Sequence, residues 1–531
     1  MKSLRLISSG ATTLAGLTMS LQLAAQEQPA AYHHHYKLID LGSFGGPRSH
    51  VELSYYSDYP FASQDLNDAG TLVGWADTPT PDPYAPNCFV GDCYVAQAFV
   101  TRNGILHDLG TLPNGLSSAA SWISANGLIA GASQNGQIDP QAPVPAGTPG
   151  NPQNRAVLWR DGKIIDLGVL PEPEGGYESG AEAVNSRGQV VGWAINSVPD
   201  PYSMAVFSFV FESYEPPEYY QQRAFLWQDG VMRDLGTLGT GTDAYALAIN
   251  ERGQVIGISY TDSTPNQVIT QCSSGAPVPA PIPTQDPFLW ENGQMIDLGS
   301  LGGTCGFPTW ISNSGHVVGA SDLPGDQVTH AFLWTRTTGI QDLGTLGGAL
   351  SQANMVNDSG QVTGGSLPPG ASFTHAFLWD GTMHDLGAFN GCSWAWAINA
   401  RGQIVGQAGP GDTGCMNIGF LWEEGAPMVD LNTLVSSGSD FSVIGAFEIN
   451  DLGEIVGAGM NTNGDQTSIL LIPCDDNHPG VEGCDYGLVD ARSVAQPAVA
   501  TRTNDTLPAS RSGRALNHRR GVLGLPLPKN Y

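Results

Sequence analysis

Short apolar runs separated by Gly, Asn and Asp recur along the whole chain in a fixed order. One clear copy begins with Ala224-Phe-Leu-Trp227 and continues through Asp234-Leu-Gly236 and Ala248-Ile-Asn250 to Gly253-Gln-Val-Ile-Gly257. Each unit thus holds four strand signals: strand a (Ala-Phe-Leu-Trp), strand b (ending in Asp-Leu-Gly), strand c (ending in Ile-Asn or Val-Asn) and strand d (Gln-Val-Val-Gly or a relative). Such self-similarity predicts a repeat architecture.

Two hairpins account for the four strands of a unit. Turns such as Asp161-Gly162 join strands a and b, and Asn-x-x-Gly turns such as 357–360 join strands c and d. Two consecutive hairpins make one four-stranded antiparallel sheet, which resembles a propeller blade. The Asp of strand b marks eight units: Asp40, Asp108, Asp166, Asp234, Asp297, Asp342, Asp385 and Asp430.

The two ends of the repeat region supply the missing halves of one unit. Only a strand b, Tyr36 to Asp40, precedes the first complete unit, and only a strand a, Ser468 to Ile472, follows the last strand d. We therefore predict an all-β, closed β-propeller of about eight four-stranded blades over 36–473, in which the N-terminal strand forms the outer edge of the last blade. A seven-bladed propeller and an open β-solenoid are the alternatives, but a solenoid leaves both half-hairpins unexplained.

The early units are longer than the late ones. Their extra residues lie mostly between strands d and a, around 76–96, 133–154, 194–220 and 261–286, and they are rich in Pro, which predicts irregular surface loops. Because strand direction alternates, the d–a and b–c loops share one face of the ring. A ligand is expected on this insertion-rich face, since functional loops are commonly elaborations on a rigid scaffold.

The segments outside the repeats have compositions of their own. Residues 1–25 read as a signal peptide, with Lys2 and Arg5 before an apolar stretch that ends at Ala24-Ala25. We expect a disordered N-terminus over 26–35, a disulfide-linked extension over 474–489 and a disordered basic tail over 490–531. The protein is therefore expected to be exported, to the periplasm or the extracellular space, without an integral membrane segment.

The charge balance narrows the class of partners. The chain carries a net charge of −29, and the region 26–489 alone holds 12 basic and 48 acidic residues, a net charge of −36. A body this acidic repels nucleic acid and anionic membrane surfaces, but it tolerates cations and neutral ligands. Solubility outside the cell is the simpler explanation of the same charge.

Eight cysteines in an exported chain predict disulfides. The face assignment permits pairing of nearest neighbours, although sequence alone leaves the connectivity open. Metal ligation is disfavoured because Cys88-x₄-Cys93 has no second matching pair and no nearby His. The permitted pairs are Cys88 with Cys93, Cys272 with Cys305, Cys392 with Cys415, and Cys474 with Cys484.

The recurring polar residues are interpreted as scaffold. Eight strand-b carboxylates could line a cation site, and Ca²⁺ is conceivable, but recurrence in every unit favours a structural role at the turn. No metal site or cofactor is predicted from a motif. The Asn that begins the c–d turn is expected to cap the turn backbone, and the Gly three residues later is expected to take a positive φ.

Two groups of aromatic residues are candidates for ligand binding. Trp310 and Trp394 lie in strand c, where an exposed ring could stack on a sugar, although core packing explains them equally well. The insertion 211–220 combines carboxylates with Phe211, Tyr214, Tyr219 and Tyr220. It suits a glycan, a cation or a basic protein, and its simpler interpretation is a solvated loop.

Two units begin with a His-Ala-Phe triplet, at His330-Ala-Phe332 and His375-Ala-Phe377, and each is followed by Leu-Trp. Together with Asp342-Leu-Gly-Thr-Leu-Gly-Gly348 and Asn250 to Gly257, this pattern resembles the bacterial extracellular HAF repeat over roughly 36–473. Other units depart from the triplet, as at Arg155-Ala-Val. The resemblance implies secretion and a propeller-like β fold, and it implies no catalytic residues.

Catalytic signatures such as Gly-x-Ser-x-Gly and His-Glu-x-x-His are absent from the sequence. We therefore expect an exported non-catalytic module that binds a glycan or an envelope protein through its insertion-rich face. A hydrolase or lyase acting on extracellular polymers from the central channel is the alternative, and clustered carboxylates with perturbed pKa values there would favour it. A purely structural module is the third possibility.

Overall fold

The computed structural model describes residues 32–51, 63–102, 104–140, 149–171, 175–200, 202, 220–266, 282–389, 391–410, 417–435 and 440–494. Apart from a 3₁₀ turn at Leu431–Thr433 and a short helix at Ala491–Val494, the regular elements of these residues are strands. The strands are β1 (Tyr32–His34), β2 (Tyr36–Asp40), β3 (Ser49–His50), β4 (Val73–Pro81), β5 (Tyr94–Arg102), β6 (Ile105–Asp108), β7 (Ser118–Ile123), β8 (Ile129–Ile138), β9 (Pro152–Arg160), β10 (Lys163–Asp166), β11 (Gly175–Val184), β12 (Val190–Pro199), β13 (Tyr220–Gln228), β14 (Val231–Asp234), β15 (Ala244–Ile249), β16 (Val255–Tyr260), β17 (Gln285–Glu291), β18 (Gln294–Asp297), β19 (Gly306–Ile311), β20 (Val317–Asp322), β21 (Thr329–Thr335), β22 (Gly339–Asp342), β23 (Ser351–Val356), β24 (Val362–Ser366), β25 (His375–Trp379), β26 (Met383–Asp385), β27 (Gly391–Ile398), β28 (Ile404–Pro410), β29 (Ile418–Trp422), β30 (Val429–Asp430), β31 (Phe441–Ile449), β32 (Ile455–Asn461), β33 (Gln466–Pro473) and β34 (Leu488–Asp490).

Eight four-stranded antiparallel sheets form the blades of a closed propeller, as the sequence predicts. Blades 1 to 7 take their strands consecutively from β3–β6 to β27–β30, and blade 8 combines β31, β32 and β33 with β2. Tyr36 pairs with Pro473 and Asp40 with Ile469, so the N-terminal strand closes the ring at the outer edge of blade 8. Strand c of one blade contacts strand c of the next, which places it on the inner side of the ring.

Three of the insertions are more regular than predicted. Irregular loops were expected over 76–96, 133–154 and 194–220, but β4 and β5, β8 and β9, and β12 and β13 continue well into these segments as paired strands. The prediction was wrong there because Pro-rich composition conceals β-bulges, after which two strands resume pairing. In the fourth insertion, β16 ends at Tyr260 and β17 begins at Gln285.

A serine at the start of strand c ties each of five blades to the blade before it. Its hydroxyl accepts a hydrogen bond from a strand-a N–H of that preceding blade, for example from Ala98 to Ser118 at 3.0 Å. The bond from the Ser468 N–H to Ser49, at 3.1 Å, crosses the closing seam. Several of these hydroxyls also donate to the Gly carbonyl of the preceding Asp-Leu-Gly. The serines are Ser49, Ser118, Ser179, Ser351 and Ser393.

The c–d turns form a second connection around the ring. In Asn399, Oδ1 accepts the N–H groups of Arg401 and Gln403 at 3.0 Å, which is the turn cap expected from the sequence. Its Nδ2 also donates to the Asn450 carbonyl of the next blade at 3.0 Å. The Asn450 side chain reaches the Asn67 carbonyl at 3.1 Å and so closes the ring. The other bridging residues are Asn67, Asn185, Asn250 and Asn357.

The glycine of strand d makes room for the phenylalanine of strand a. A Cβ on Gly257 would lie 2.6 Å from the Phe288 ring, and one on Gly406 would lie 2.7 Å from the Phe420 ring. Both rings are completely buried. The repeat therefore keeps Gly and Phe together because close approach of the strand-d backbone gives the ring its space.

Two tryptophans on inner strands fill the central channel. Trp122 of blade 2 and Trp310 of blade 5 stack with ring centroids 5.6 Å apart and an interplanar angle of 19°. Because these blades are three positions apart, the stack lies across the channel. Blades 3 and 4 carry Ala183 and Ala248 at the corresponding position after the strand-c bulge. These small residues share a buried cluster with Trp122 and leave space for the two indoles.

The strand-b aspartates lie on the outermost strands, away from the channel. Oδ1 of Asp234 accepts the N–H of Gly236 at 2.7 Å, and the other repeats make the same contact two residues along the chain. The strand-a residue that precedes Ala-Phe often supplies a partner as well. His330 Nδ1 lies 2.9 Å from Asp342, and Arg223 Nε lies 2.8 Å from Asp234.

In blade 4 an acid, Asp286, takes the position at which other blades have a basic partner for the strand-b aspartate. Removal of this second negative charge is expected to stabilise the protein. Asp286 faces Asp297; burial, and then the Asp297 charge, raise the pKa of Asp286 from 3.8 to about 7. Above pH 7 the folded state carries the cost of two ionised neighbours, and the cost disappears as pH falls toward 4. We expect Asp286→Asn to raise the free energy of unfolding by about 1–2 kcal/mol at pH 8 and to change it little at pH 4. Urea unfolding at both pH values measures this, with exposed Asp161→Asn as the control; an equal effect at both would contradict it.

The chain termini are more ordered than predicted next to the propeller. Disorder was expected over 26–35, but Tyr32–His34 pairs with Leu488–Asp490 and His33 is buried against Glu423. The Cys474–Cys484 disulfide turns the extension back so that β34 reaches β1. The predicted tail over 490–531 likewise starts in order, because Asp490 belongs to β34 and a short helix follows it. The signal-peptide segment lies outside the described residues.

The predicted disulfides are confirmed where both cysteines are described. Cys88 bonds to Cys93 and Cys474 to Cys484. Cys305 and Cys392 are also disulfide-bonded. Their predicted partners, Cys272 and Cys415, lie outside the described residues, so those two pairings stay predictions. In the part of the chain that the structure describes, no helix is long and apolar enough to cross a membrane.

Candidate functional site

Three d–a hairpins project beyond the body of their blades on the insertion-rich face. We call them arm 1 (residues 77–96 of blade 1), arm 2 (134–140 and 149–154 of blade 2) and arm 3 (195–200, 202 and 220–222 of blade 3), each defined by its described residues. Each crosses a bulge and then resumes pairing, at Pro81 with Tyr94, Ile138 with Pro152 and Pro199 with Tyr220. The arms belong to adjacent blades and therefore form one raised sector of this face.

The arms share one local design. Just after the point where each arm leaves its blade, a side-chain oxygen accepts the N–H two residues on: Thr78 from Thr80, Asn135 from Gln137 and Asn196 from Val198. In arms 2 and 3 the same asparagines also donate across the hairpin, to Gln153 at 2.9 Å and to Gln221 at 3.0 Å. These amide contacts hold the bulged strands in register.

A buried aspartate follows the outgoing strand in every arm. Asp82, Asp139 and Asp200 are each at most 6% exposed. Asp82 and Asp200 cap the loop by accepting the N–H of Tyr84 and of Tyr202, both at 2.8 Å. All three are followed by Pro in the sequence. This recurrence of Asp-Pro after the outgoing strand of three insertions was a signal that the repeat-based sequence reasoning missed.

Polar contacts join the arms into a continuous wall. Asn87 in arm 1 donates through Nδ2 to the Pro149 carbonyl of arm 2 at 2.7 Å. The Asn154 N–H of arm 2 donates to the Glu178 carboxylate of strand c in blade 3 at 3.3 Å. Arm 1 is consequently braced against arm 2, and arm 2 against strand c of the blade that carries arm 3.

The wall exposes large apolar and aromatic side chains. Ile138 on arm 2, Tyr177 at the base of blade 3, and Val198 and Tyr202 on arm 3 are between 40% and 42% exposed. The arm amides described above, such as Asn135 and Asn196, are close to these exposed residues in the sequence. Aromatic rings that stand beside hydrogen-bonding groups are suited to amphipathic ligands with flat apolar faces, such as sugars.

Two pairs of acids lie in this sector, one within arm 1 and one between arm 2 and blade 3. The Asp77 carboxyl is fully buried and meets the carboxyl of Asp92, whose Oδ2 lies 4.0 Å from Arg48 Nε. Burial, and then the charge of Asp92, raise the pKa of Asp77 to about 7. Burial, and then the charge of Asp139, raise the pKa of Glu178 to about 8. Both pairs therefore hold protons at pH values at which ordinary carboxyls are ionised.

The channel side of the same sector holds one further perturbed carboxyl. Glu182 accepts hydrogen bonds from Trp193 Nε1, at 3.0 Å, and from the Tyr245 hydroxyl of blade 4. Burial raises its pKa to about 7. Glu448, a second acid on an inner strand, has both oxygens bound by the N–H groups of Asp65 and Leu66. Because these backbone hydrogen bonds hold the Glu448 carboxylate, Glu448 is not available to act with Glu182 as an acid–base pair.

The residues selected from the sequence lie in different places. Trp394 is buried, and a Cβ on Gly365 would fall 2.2 Å from its ring, so an exposed stacking role for Trp394 is wrong. Trp310 is half-buried in the channel against Trp122 rather than presented on the insertion-rich face. Tyr220 is half-buried at the base of arm 3. Phe211, Tyr214 and Tyr219 lie outside the described residues.

Within the described ranges, no three His, Cys, Asp or Glu side chains form a group that could hold a metal ion. The eight strand-b aspartates are dispersed at the outer edges of separate blades. A shared Ca²⁺ site among them therefore has no geometric support.

Comparisons with known proteins yield distant fold similarities. No family model matches the sequence, and no curated protein matches it. Among solved structures, the chain is similar to an acylaminoacyl peptidase bound to Z-Gly-Gly-Phe-chloromethyl ketone (11% identity, TM-score 0.37, covering 78% of this chain and 59% of that one). It is also similar to dipeptidyl peptidase 4 of Porphyromonas gingivalis (10%, 0.39, 82% and 65%). A third similarity is to the β-propeller domain of the Trilobed protease from Pyrococcus furiosus (9%, 0.35, 88% and 99%).

The chain spans less than two thirds of the length of the two peptidases. Similarities at this level carry no argument about activity.

Proposed function

We propose that this protein is an exported, non-catalytic binding module of the periplasm or the extracellular space, and that arms 1 to 3 hold its ligand. The supporting observation is the wall itself. Three adjacent blades carry braced hairpins of one design, and the wall presents Tyr177 and Tyr202 together with apolar side chains. A scaffold feature recurs in every blade, whereas a feature confined to one sector favours a dedicated use. The resemblance to HAF repeats is consistent with export.

A neutral glycan is the ligand class that this surface suits best. The acidic body disfavours polyanions, which excludes nucleic acid and acidic polysaccharides as good partners. Tyrosine faces stack on sugar rings, and the amides and carboxyls of the arms can bind hydroxyl groups. An envelope protein is the other ligand class expected from the sequence, and it becomes the conclusion if neutral glycans fail to bind.

Removal of the exposed tyrosines tests this proposal. We expect Tyr177→Ala and Tyr202→Ala each to weaken binding of a neutral oligosaccharide by about fivefold to thirtyfold, because each loses an aromatic platform worth about 1–2 kcal/mol. Binding is measured by calorimetry, after screening the mature protein against neutral glycans by thermal shift. Phe373→Ala is the matched control, since Phe373 is a 39% exposed aromatic on blade 6.

Equal weakening by all three variants would count against the arms as the site. A binder that is lost with Glu182→Gln but retained in both tyrosine variants would instead favour the channel. Turnover of the oligosaccharide would favour the hydrolase or lyase alternative, for which the half-buried Glu182 with its raised pKa is the supporting observation.

A further inference from the structure

We propose that two acid pairs, Asp77–Asp92 in arm 1 and Glu178–Asp139 between blade 3 and arm 2, form a proton-controlled latch: a proton held by each pair keeps the arm closed, and its loss loosens the arm. The closure of the arms does not depend on the proposed function, but its consequence for ligand binding rests on that function. The structural basis is a carboxyl pair enclosed within arm 1 and a second pair that joins arm 2 to blade 3.

The first pair is enclosed by the base of arm 1. Among the described residues, no donor makes a hydrogen bond of normal geometry with either oxygen of the fully buried Asp77 carboxyl. The polar groups that this carboxyl meets are the Asp92 carboxyl and the Arg48 backbone amide, and Asp92 has the larger effect on its pKa. Asp92 lies on the returning limb, in a loop closed by the Cys88–Cys93 disulfide. A proton between Asp77 and Asp92 therefore joins the two limbs of the arm at its base.

The other charged groups at this base do not neutralise the pair. Arg48 stands 4.0 Å from Asp92 and supplies one positive charge against two carboxylates. His50 stacks on Trp75 with ring centroids 4.6 Å apart. Burial, and then the charge of Arg48, lower the pKa of His50 to about 4, so His50 is neutral wherever Asp77 titrates.

The second pair connects arm 2 to blade 3. Glu178 accepts the Asn154 N–H of arm 2 at 3.3 Å, and Asp139, at the far end of the outgoing strand, is the acid whose charge it feels. Arg155 is the facing cation. It also interacts electrostatically with Asp166, and it donates a hydrogen bond to Gln153 at 3.2 Å. One shared cation leaves the Glu178–Asp139 pair with an excess of negative charge once both are ionised.

The direction of the pH effect follows from the raised pKa values. Asp77 titrates near pH 7 and Glu178 near pH 8 in the folded protein, against ordinary values of 3.8 and 4.5. The closed arms therefore hold extra protons between about pH 4 and pH 8, and their closure weakens as pH rises through 7 and 8. The stabilisation of the closed arms is fully present below about pH 4 and is lost above about pH 8.

Connection between the arms extends the effect to the exposed surface. The Asn87 contact to Pro149 couples arm 1 to arm 2, and arm 2 carries Ile138. Loosening of either base shifts the wall on which the ligand is proposed to rest. We therefore expect ligand affinity to fall over the same pH range in which the arms loosen.

Hydrogen exchange followed by mass spectrometry tests the latch without any ligand. In the full-length protein, we expect amides of arm 1, such as the Asp82 N–H bonded to the Cys93 carbonyl at 2.8 Å, to lose at least tenfold protection between pH 6.0 and pH 8.5 after correction for the intrinsic rate. Arm 2 amides, such as Asp139 N–H bonded to the Asn151 carbonyl, should respond likewise. Asp77→Asn should abolish the pH response of arm 1, and Glu178→Gln that of arm 2.

Asp322→Asn is the matched control, because Asp322 is also a buried strand-d carboxyl but accepts the Thr329 hydroxyl. It should leave both arm responses unchanged. If Asp77→Asn fails to fold, Asp92→Asn removes the same shared charge from the more exposed side. Wild-type arms with equal protection at the two pH values, or arms that stay pH-dependent in the neutral variants, would overturn the latch. Because no glycan is present, either result leaves the binding proposal to its own test.

Discussion

Trp122→Ala is expected to lower the free energy of unfolding by about 3–5 kcal/mol, the usual cost of deleting a buried indole. Trp122 is 4% exposed and stacks on Trp310 across the channel. Blades 3 and 4 have Ala183 and Ala248 at the corresponding position, and these side chains are too small to fill the cavity. The loss should therefore lie near the upper end of this range. Urea unfolding followed by circular dichroism measures it.

A double-mutant cycle isolates the stack itself. Trp310→Ala alone should cost less than Trp122→Ala because Trp310 is only half-buried. The coupling energy between the two substitutions should be about 0.5–1.5 kcal/mol, as for other aromatic pairs. Additive losses, or a loss below about 1 kcal/mol for Trp122→Ala, would show that the channel is not filled in this way.

Asn399→Ala is expected to lower the free energy of unfolding by about 2–4 kcal/mol. The side chain accepts two turn N–H groups and donates to Gln403 and to the Asn450 carbonyl of the next blade, and Asn399 is 4% exposed. Its removal leaves several buried polar groups unpaired, which costs more than the bonds themselves contribute. The same urea titration provides the measurement.

Asn399→Ser separates the turn cap from the blade-to-blade bridge. Blade 2 carries Ser124 at this position, where its hydroxyl caps the turn by accepting the Leu128 N–H at 2.9 Å. Serine at 399 should keep the cap and lose the bridge, with a cost of about half that of alanine. If serine and alanine cost the same, the bridge would account for the whole effect; if serine costs nothing, the bridge would be energetically silent.

The sequence predicted the parts of the fold that repeat within one unit. Strand order, the c–d turn and the closing strand b followed from local signals, because hydrophobic alternation and turn chemistry act over a few residues. The bridge from Asn399 to Asn450 could not be predicted, since it depends on how adjacent blades dock. For the same reason the Trp122–Trp310 stack joins residues that are 188 positions apart.

The candidate site was predicted by region and not by residue. The alternation of strand direction placed the insertions on one face, and the arms do lie there. Composition failed within them, because the prolines at 81 and 199 suggested loops while each ends a strand that pairs with a tyrosine. The buried acids were also missed: Asp77 and Asp92 look like surface residues until the disulfide at Cys88–Cys93 brings the loop back over blade 1.

The indole stack separates four blades of the ring from the other four. Trp122 and Trp310 lie on the first and last of blades 2 to 5, and the largest buried cluster among the described residues extends through those same blades. If β2 separates from β33 in blade 8, the contacts within blades 2 to 5 remain intact. The propeller is therefore expected to open sub-globally, with the four clustered blades as the last cooperative unit to melt and the terminal blades as the first.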